Sequence, residues 1–152
     1  MGSTIPELIV ENIRSTLVEM QTTAGFNFDW KHVYKYLHSE TVPDTPSALI
    51  ETDEATGEPK AYPIWQGTLP VTVHGMHQCP HTEDDDPGAV GFGMAGDVWR
   101  GMMADVTRGG NAYDTRLIGF DVLYPFPGWV YCVVRFEIDF QARLDDPQST
   151  RN

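Results

Sequence analysis

The chain has 152 residues, of which 41% are apolar and 17 are aromatic, and this composition predicts one folded domain with a substantial core. Its 10 Lys and Arg residues against 22 Asp and Glu residues leave a net charge of −12, which argues against a protein that coats DNA, because phosphate binding needs clustered cations. No apolar run approaches the roughly 18 residues of a membrane span, and no signal-peptide pattern is present. Two cysteines make no disulfide framework, so we expect a protein of a reducing cytoplasm.

The first predicted element is a helix from Thr4 to Ala24. Thr4 is a good N-cap, Glu7 follows at the spacing of a capping box, and Pro6 suits the first turn. Gly25 is a natural stop at its C-terminal end. Apolar residues recur at steps of three and four, which indicates one buried stripe, although such a stripe could also bind a partner. The stripe consists of Val10, Ile13, Leu17, Met20 and Ala24.

Two strands are predicted in the middle of the chain. Ser47–Thr52 alternates, with Ala48 and Ile50 facing inward, and Trp65–His77 alternates in the same way. Pro70 lies inside the second run and indicates an edge or a bulge there. The polar stretch between the two runs, Asp53–Lys60, holds a glycine and a proline, so we expect a loop or a hairpin tip.

A second helix is predicted from about Ala89 to Thr107, after an acidic loop whose negative charge suits the helix N-terminus. Gly91–Gly96 matches the dinucleotide-binding fingerprint in its letters, but no strand precedes it and no βαβ unit surrounds it. We therefore interpret these small residues as a site of close helix packing. The apolar stripe of this helix is Val90, Met94, Val98, Met102 and Val106, with Ala95 and Trp99 beside it.

The strongest pattern lies at the C-terminal end, where apolar residues occupy every even position from Val130 to Leu144. A period of two over this length predicts a long strand with one buried and one polar face. Ile118–Tyr124 alternates as well, and Pro125–Gly128 supplies turn residues, so the two runs predict a long β-hairpin. The whole order of elements predicts an α+β domain over residues 1–152, with both helices on one face of a largely antiparallel sheet and a flexible, solvated tail at 145–152.

Two groups of polar side chains are candidates for chemistry. His74, His77, Cys79 and His81 are metal-ligand types within eight residues, although their spacing matches no known zinc pattern, and a small metal-binding domain is an alternative function. Glu137 and Asp139, on the polar face of the long strand, could form an acid/base pair. With Arg135 and Arg143 beside them, they form a mixed-charge surface that is more typical of a subunit contact.

The arrangement of elements resembles the tail terminator, or tail completion, proteins of long-tailed bacteriophages. The capped N-terminal helix corresponds to the family's first helix, and Pro46–Ile50 to its proline-led strand, which an acidic loop follows. Trp65–Val73 is similar to the strand by which that loop returns to the sheet, and Val98–Thr107 falls on the second helix. Val134–Phe140 resembles the last strand of the family. The His74–His81 segment and the chain after Asp145 depart from the family pattern.

This resemblance implies a structural virion protein and no enzyme: a ring, expected to be hexameric, with the sheet facing the lumen and the helices outside. Such a ring caps the tail tube, ends tube polymerisation and joins the tail to the head connector; another neck or head-completion ring protein is the alternative. Expected partners are further copies of the chain, the tail tube protein and the connector, with no cofactor, in the virion and, during assembly, in the host cytoplasm. The expected subunit or tail contacts are Thr52, Asp53, Glu54, Glu58, Arg135, Glu137, Asp139 and Arg143.

The net charge has two interpretations within this hypothesis. Acidic side chains could line a passage through which DNA slides without adhering, or they could spread over the outside and serve solubility. The two interpretations differ in where the acids lie relative to the lumen. The candidates for the passage are Glu137, Asp139, Asp53, Glu54, Asp84, Asp85 and Asp86.

Overall fold

The domain is a six-stranded mixed sheet with two helices, as a computed structural model describes it for residues 3–35, 44–79, 86–125 and 127–148. This confirms the predicted α+β class and the long C-terminal hairpin. The elements, in chain order, are α1 (Ile5–Glu19), β1 (His32–Tyr34), β2 (Ser47–Thr52), β3 (Thr56–Pro59), β4 (Ile64–Gln78), α2 (Pro87–Met103), β5 (Asp114–Leu123) and β6 (Trp129–Arg143).

The sheet is ordered β1-β2-β4-β6-β5, and β3 pairs with the first part of β4 on the same side as β2. Only the β1–β2 pair is parallel among these pairings; the others are antiparallel. β6 pairs with β4 along its whole length, and its other side carries β5. The predicted spine is therefore an interior strand with neighbours on both edges.

The even-numbered side chains of β6 form the centre of the core, as their alternation predicts. Phe136, Ile138 and Phe140 are at most 1% exposed, and they belong to one apolar cluster with the buried faces of both helices. Leu144, predicted to continue this row, lies beyond the end of the strand and is half exposed. The burial of this row is what holds the sheet against the helices, because burying each large apolar side chain contributes roughly 1.5–3 kcal/mol.

Helix α1 begins as predicted and ends earlier than predicted. The Thr4 amide donates to Glu7 Oε2 at 2.8 Å and the Glu7 amide donates to Thr4 Oγ1 at 3.4 Å, which is the expected capping box. The helix ends at Glu19 because Met20 adopts an extended conformation and is buried, and a short 3₁₀ turn follows at residues 22–24. Gly25, at φ +88°, ends that turn in the left-handed region that glycine favours.

Helix α2 also starts near the predicted residue and stops short of Thr107. Asp86 is its N-cap, accepting from the Ala89 amide at 3.2 Å, and the last helical residue is Met103. The fully buried Arg108 donates to the carbonyl oxygens of Met102 and Asp105, so its guanidinium satisfies groups that a longer helix would have bonded internally. Val106 consequently lies outside the helix.

The predicted loop at Asp53–Lys60 contains the short strand β3, whose residues are all exposed. β2 pairs with Val71–Met76 of β4 and β3 pairs with Trp65–Thr68, so Pro70 falls in the gap between them. Its carbonyl accepts from the Asp53 amide at 3.1 Å. The missing N–H of Pro70 therefore costs the sheet no ladder bond, which explains a proline in an interior strand.

Asp97 is a buried charged residue of α2 that the sequence patterns did not identify as structural. Its carboxylate accepts from the Asn27 amide, from the Asn27 side chain and from the Phe28 amide, at 2.8–3.1 Å. These bonds fix the segment after the 3₁₀ turn to α2 and satisfy backbone groups that no strand pairs. Asp97 therefore positions the first crossing of the chain from α1 to the sheet.

The predicted tail at 145–152 is described only as far as Gln148. In that part Asp146 forms a β-bridge with Arg143, and the Pro147 carbonyl accepts from the Ile5 amide at 3.0 Å. Residues 145–148 are thus attached to the start of α1, while 149–152 lie outside the described residues.

Truncation of the central phenylalanines should destabilise the fold strongly. Phe136→Ala or Phe140→Ala leaves a cavity in a closed core, and we expect each to lower the free energy of unfolding by about 3–5 kcal/mol. Urea denaturation followed by circular dichroism measures this. Leu144→Ala, at a half-exposed site of the same row, is the control and should change stability little; equal losses at all three sites would contradict the assigned core.

Candidate interaction surfaces

Both helices pack on one face of the sheet, and we call the opposite face the bare face; the side chains at its centre are half-buried or exposed, whereas Ser47, Met76 and Val133 at one end of it are buried. Because side chains alternate along a strand, the odd positions of β6 share this bare face with the even positions of β4 that pair with them. Arg135, Glu137 and Asp139, three of the predicted contact residues, therefore project from the same surface. Arg143, at the end of β6, pairs with Asp145 at 2.9 Å.

Arg116 of β5 organises the charges at the centre of the bare face. Its guanidinium donates to Glu137 Oε2 at 2.8 Å and to Asp139, and Asp114 Oδ2 lies 3.8 Å away. Thr68 on the opposite neighbour strand donates to Asp139 at 2.7 Å. The register explains this cluster, because Arg116 lies opposite Glu137 and Asp114 lies opposite Asp139. Arg116 occupies the space between the two carboxylates, so the arrangement is a built ion-pair network and offers no open acid/base pair.

The bare face is acidic overall. We counted the charged side chains of this face from Asp139 to Val133 of β6, together with those of the residues paired with this segment on neighbouring strands. They are five carboxylates and two guanidinium groups, so the net charge is −3 when His74 is counted as neutral. His74 Nε2 lies 2.7 Å from Glu51 Oε2 within this surface. The seven residues that give the net charge of −3 are Glu51, Asp114, Asp121, Glu137, Asp139, Arg116 and Arg135.

The predicted contact residues of the β2–β3 segment lie at a lateral edge of the sheet, away from the ion-pair network. Thr52, Asp53, Glu54 and Glu58 are all exposed, and Glu58 pairs with Lys60 at 2.9 Å. The structure thus brings Arg135, Glu137 and Asp139 together on one face and places the loop acids beside it. Of the other acids considered for a passage, Asp86 caps α2, and Asp84 and Asp85 lie outside the described residues.

The histidines and cysteine of the alternative metal site do not converge where they are described. His74 projects from the bare face, whereas His77 lies on the helix side, its ring 5.7 Å from that of Phe28, and Cys79 is buried. Burial lowers the pKa of His77. Within residues 3–35, 44–79, 86–125 and 127–148, no group of three or more His, Cys, Asp or Glu side chains could hold a metal ion; His81 lies outside these ranges.

Cys132 is the second thiol of the core, on the inner face of β6. Burial raises its pKa to about 12, so it stays a protonated thiol at neutral pH and is no nucleophile. An added Cβ at Gly75, its neighbour on β4, would lie 2.7 Å from its sulfur. Cys132 is therefore a packing residue of the core.

A second exposed surface was missed by the sequence patterns and consists of large apolar side chains on α2 and β5. Phe92, Trp99 and Phe120 are 59%, 46% and 42% exposed, and the rings of Phe92 and Trp99 lie 6.2 and 6.1 Å from that of Phe120. β5 is also an edge strand of the sheet. The sequence did place Trp99 beside the predicted apolar stripe of α2. Whether Trp99 is exposed depends on the position of β5 at the edge of the sheet, which the sequence pattern does not give.

No family model matches the chain, and the search of curated proteins found no match. In the described residues, no helix is long and apolar enough to cross a membrane. The proposed function therefore rests on the two exposed surfaces of the domain.

Replacing Arg116 tests its contribution to the stability of the ion-pair network on the bare face. Arg116→Leu leaves Asp139, whose side chain is only 13% exposed, with the Thr68 hydroxyl as its remaining partner, and we expect a loss of about 1–3 kcal/mol in unfolding free energy. Arg135→Leu, at an exposed guanidinium of the same strand face, is the matched control and should cost far less. If Asp139→Asn restores none of the stability lost in Arg116→Leu, the ion-pair account is wrong.

Proposed function

We propose that this protein is a structural virion component, a subunit of a ring that caps the phage tail tube, stops further tube subunits from adding and joins the tail to the head connector. The observation that carries the proposal is the two-sided sheet: helices cover one face, and the central rows of the other, from Asp139 to Val133 of β6, carry a net acidic, ion-paired surface. The order of elements, which resembles that of tail terminator proteins, supports the same proposal. Further copies of the chain, the tube protein and the connector are the partners.

The bare face suits the wall of a passage better than it suits a binding site for nucleic acid. Its two arginines lie among five carboxylates, and Arg116 is already paired, so it lacks the clustered free cations that hold phosphates. A DNA duplex can pass a surface of like charge without adhering to it. The sheet facing the lumen therefore supplies a mechanical function that needs neither a cofactor nor catalysis.

A neck or head-completion ring is the second candidate, because the same acidic face would serve any ring through which the genome passes. The two candidates differ in what the ring caps. A tail terminator stops tube polymerisation, whereas a head-completion ring leaves it unaffected.

Electron micrographs of the purified protein, together with its native mass, test the ring. We expect an annulus of sixfold symmetry, and its addition to polymerising tube protein should fix tube length. Rings that leave tube length unchanged would favour the neck or head-completion assignment. A protein that is monomeric at all concentrations would contradict both.

Charge reversal on the bare face tests which surface lines the passage. Asp121→Lys changes the charge of the bare face by +2 per subunit at an exposed position, so rings of this variant should retain DNA at low salt and release it as salt rises, since the screening length is about 10 Å at 0.1 M. Glu19→Lys, at an exposed position of α1, is the matched control and should not retain DNA. Equal retention by both variants would contradict a lumen formed by the bare face.

A further inference from the structure

Strand β5 ends the sheet, and within the described residues its outer edge has no partner strand. The Val122 amide donates to the carboxylate of its neighbour Asp121 at 2.9 Å, which places this N–H on the outer edge, away from β6. Unpaired N–H and C=O groups of an edge strand attract further strands, and natural proteins often block such edges with lysine or proline. β5 contains neither, and its one irregularity is a bulge between Leu117 and Gly119.

The exposed apolar side chains of the domain are concentrated along this edge. Of the eleven large hydrophobic residues that are exposed in the described ranges, eight lie between Phe92 and Tyr124, on α2 and on or beside β5. The rings of Phe92, Trp99 and Phe120, which we call the aromatic cluster, are 59%, 46% and 42% exposed. At roughly 200 Å² for each aromatic side chain, the cluster exposes about 300 Å². This is over a third of the roughly 800 Å² that each partner contributes to a standard interface.

The sequence of β5 is complementary to itself in antiparallel orientation. When its ten residues are all paired with those of a second copy, every residue outside the bulge lies opposite one from the same face of the sheet, the face being given by the pairing with β6. The bulges meet at the twofold axis, with Ile118 opposite Gly119 of the other copy. A shift by one residue would set side chains of opposite faces against each other. The matching pairs are Asp114 with Leu123, Thr115 with Val122, Arg116 with Asp121, and Leu117 with Phe120.

This register also matches charge and volume. Arg116 donates to two carboxylates of its own copy, and its guanidinium has further N–H donors for Asp121 of the other copy. A shift by two residues that keeps the faces matched would instead put Asp114 opposite Asp121, where like charges repel. At the axis, a Cβ added at Gly119 would meet nothing within 4 Å, so there is open space for the Ile118 side chain, which is 54% exposed.

We propose that two copies pair through β5 as an antiparallel, twofold-symmetric dimer with one continuous sheet. On pairing, a backbone carbonyl of the second copy replaces the Asp121 carboxylate at the Val122 amide, and that carboxylate turns to Arg116 of the second copy. The twofold axis of an antiparallel pair is normal to the sheet. Helix α2 of each copy therefore lies on the same side, and the two aromatic clusters flank the junction between the copies.

The β5 contact is independent of the contacts that close a ring. A self-complementary contact stops at two copies, whereas a ring needs a separate, heterologous contact. In a ring whose lumen is the bare face, the twofold axis of β5 is radial. The contact then joins two rings edge to edge and keeps the bare faces of both on the lumen side.

A lysine at the twofold axis tests the contact. Ile118→Lys brings two ammonium groups together there, so we expect the Kd of the dimer to rise at least about tenfold. Where rings form, this variant should give single rings of half the mass. The melting temperature of the dissociated chain should change little, because Ile118 is exposed. Val18→Lys, at a 45% exposed site of α1, is the matched control and should leave the Kd unchanged. Sedimentation equilibrium over a range of concentrations measures the Kd.

Cysteines at positions 117 and 120 test the register. Under mild oxidation, a mixture of Leu117→Cys and Phe120→Cys should give disulfide-linked heterodimers, whereas each variant alone should stay unlinked. Identical positions of the two copies lie three residues apart along the strand, about 10 Å, which exceeds the roughly 7 Å that a disulfide spans. The native thiols, Cys79 and Cys132, are buried and add little background.

The outcomes separate the β5 contact from the proposed ring. Rings that Ile118→Lys forms at wild-type mass, with no link between positions 117 and 120, would overturn the β5 contact and leave the proposed function intact. Cross-linked dimers that never become rings would support the β5 contact and contradict the proposed function. Cross-linking of either single variant with itself would show a different register and would overturn the pairing. A wild-type chain that stays monomeric at all concentrations would overturn both proposals.

Discussion

The packing of the inner face of β6 against both helices is the interaction on which the rest of the structure depends. β6 pairs with β4 along its whole length and with β5 on its other edge, so its register fixes the positions of both neighbours. A slip of one residue would turn Phe136 and Phe140 toward solvent and bury Glu137 and Asp139. That alternative is strongly unfavourable, and the register is therefore unique.

The same alternation produces the surface to which we assign a function. Because the inner positions are filled with apolar side chains, the outer positions of β6 are free to carry charge, and Arg116 of β5 lies opposite Glu137 by the same register. The ion-pair network is thus a consequence of the pairing that builds the core. Its partly exposed members contribute modestly to stability, but they fix the distribution of charge on the bare face.

The helix side of the molecule is arranged differently from the sheet face. α2 packs closely on β5 through Gly91 and on Met20, just after α1, through Gly101; an added Cβ would clash with Val122 at Gly91 and with Met20 at Gly101. Gly96 has no such contact, and Trp99 nearby stays exposed, so one helix both packs the core and presents exposed apolar surface. A domain with an acidic, ion-paired sheet face and exposed large apolar side chains on α2 fits the subunit role that we propose.

The sequence by itself determined the elements whose signal is local and periodic. Alternation identified β6 and its buried row, and the capping residues identified the start of α1 at Thr4. The ends of both helices were wrong because they depend on distant partners: Met20 leaves the helix where it is buried beside Gly101 of α2, and Arg108 turns back onto the last carbonyl groups of α2.

The tertiary structure alone decided which residues meet. Charge pattern predicted Arg135, Glu137 and Asp139 as one surface, but their arrangement depends on Arg116, which strand pairing brings from another part of the chain. The bonds from Asn27 to Asp97 span 70 positions, and no local pattern encodes such a contact. The exposed apolar surface of α2 and β5 could be identified only once β5 was known to lie at the edge of the sheet, because a periodic sequence specifies which face of a helix is apolar, whereas topology decides how much of that face is covered.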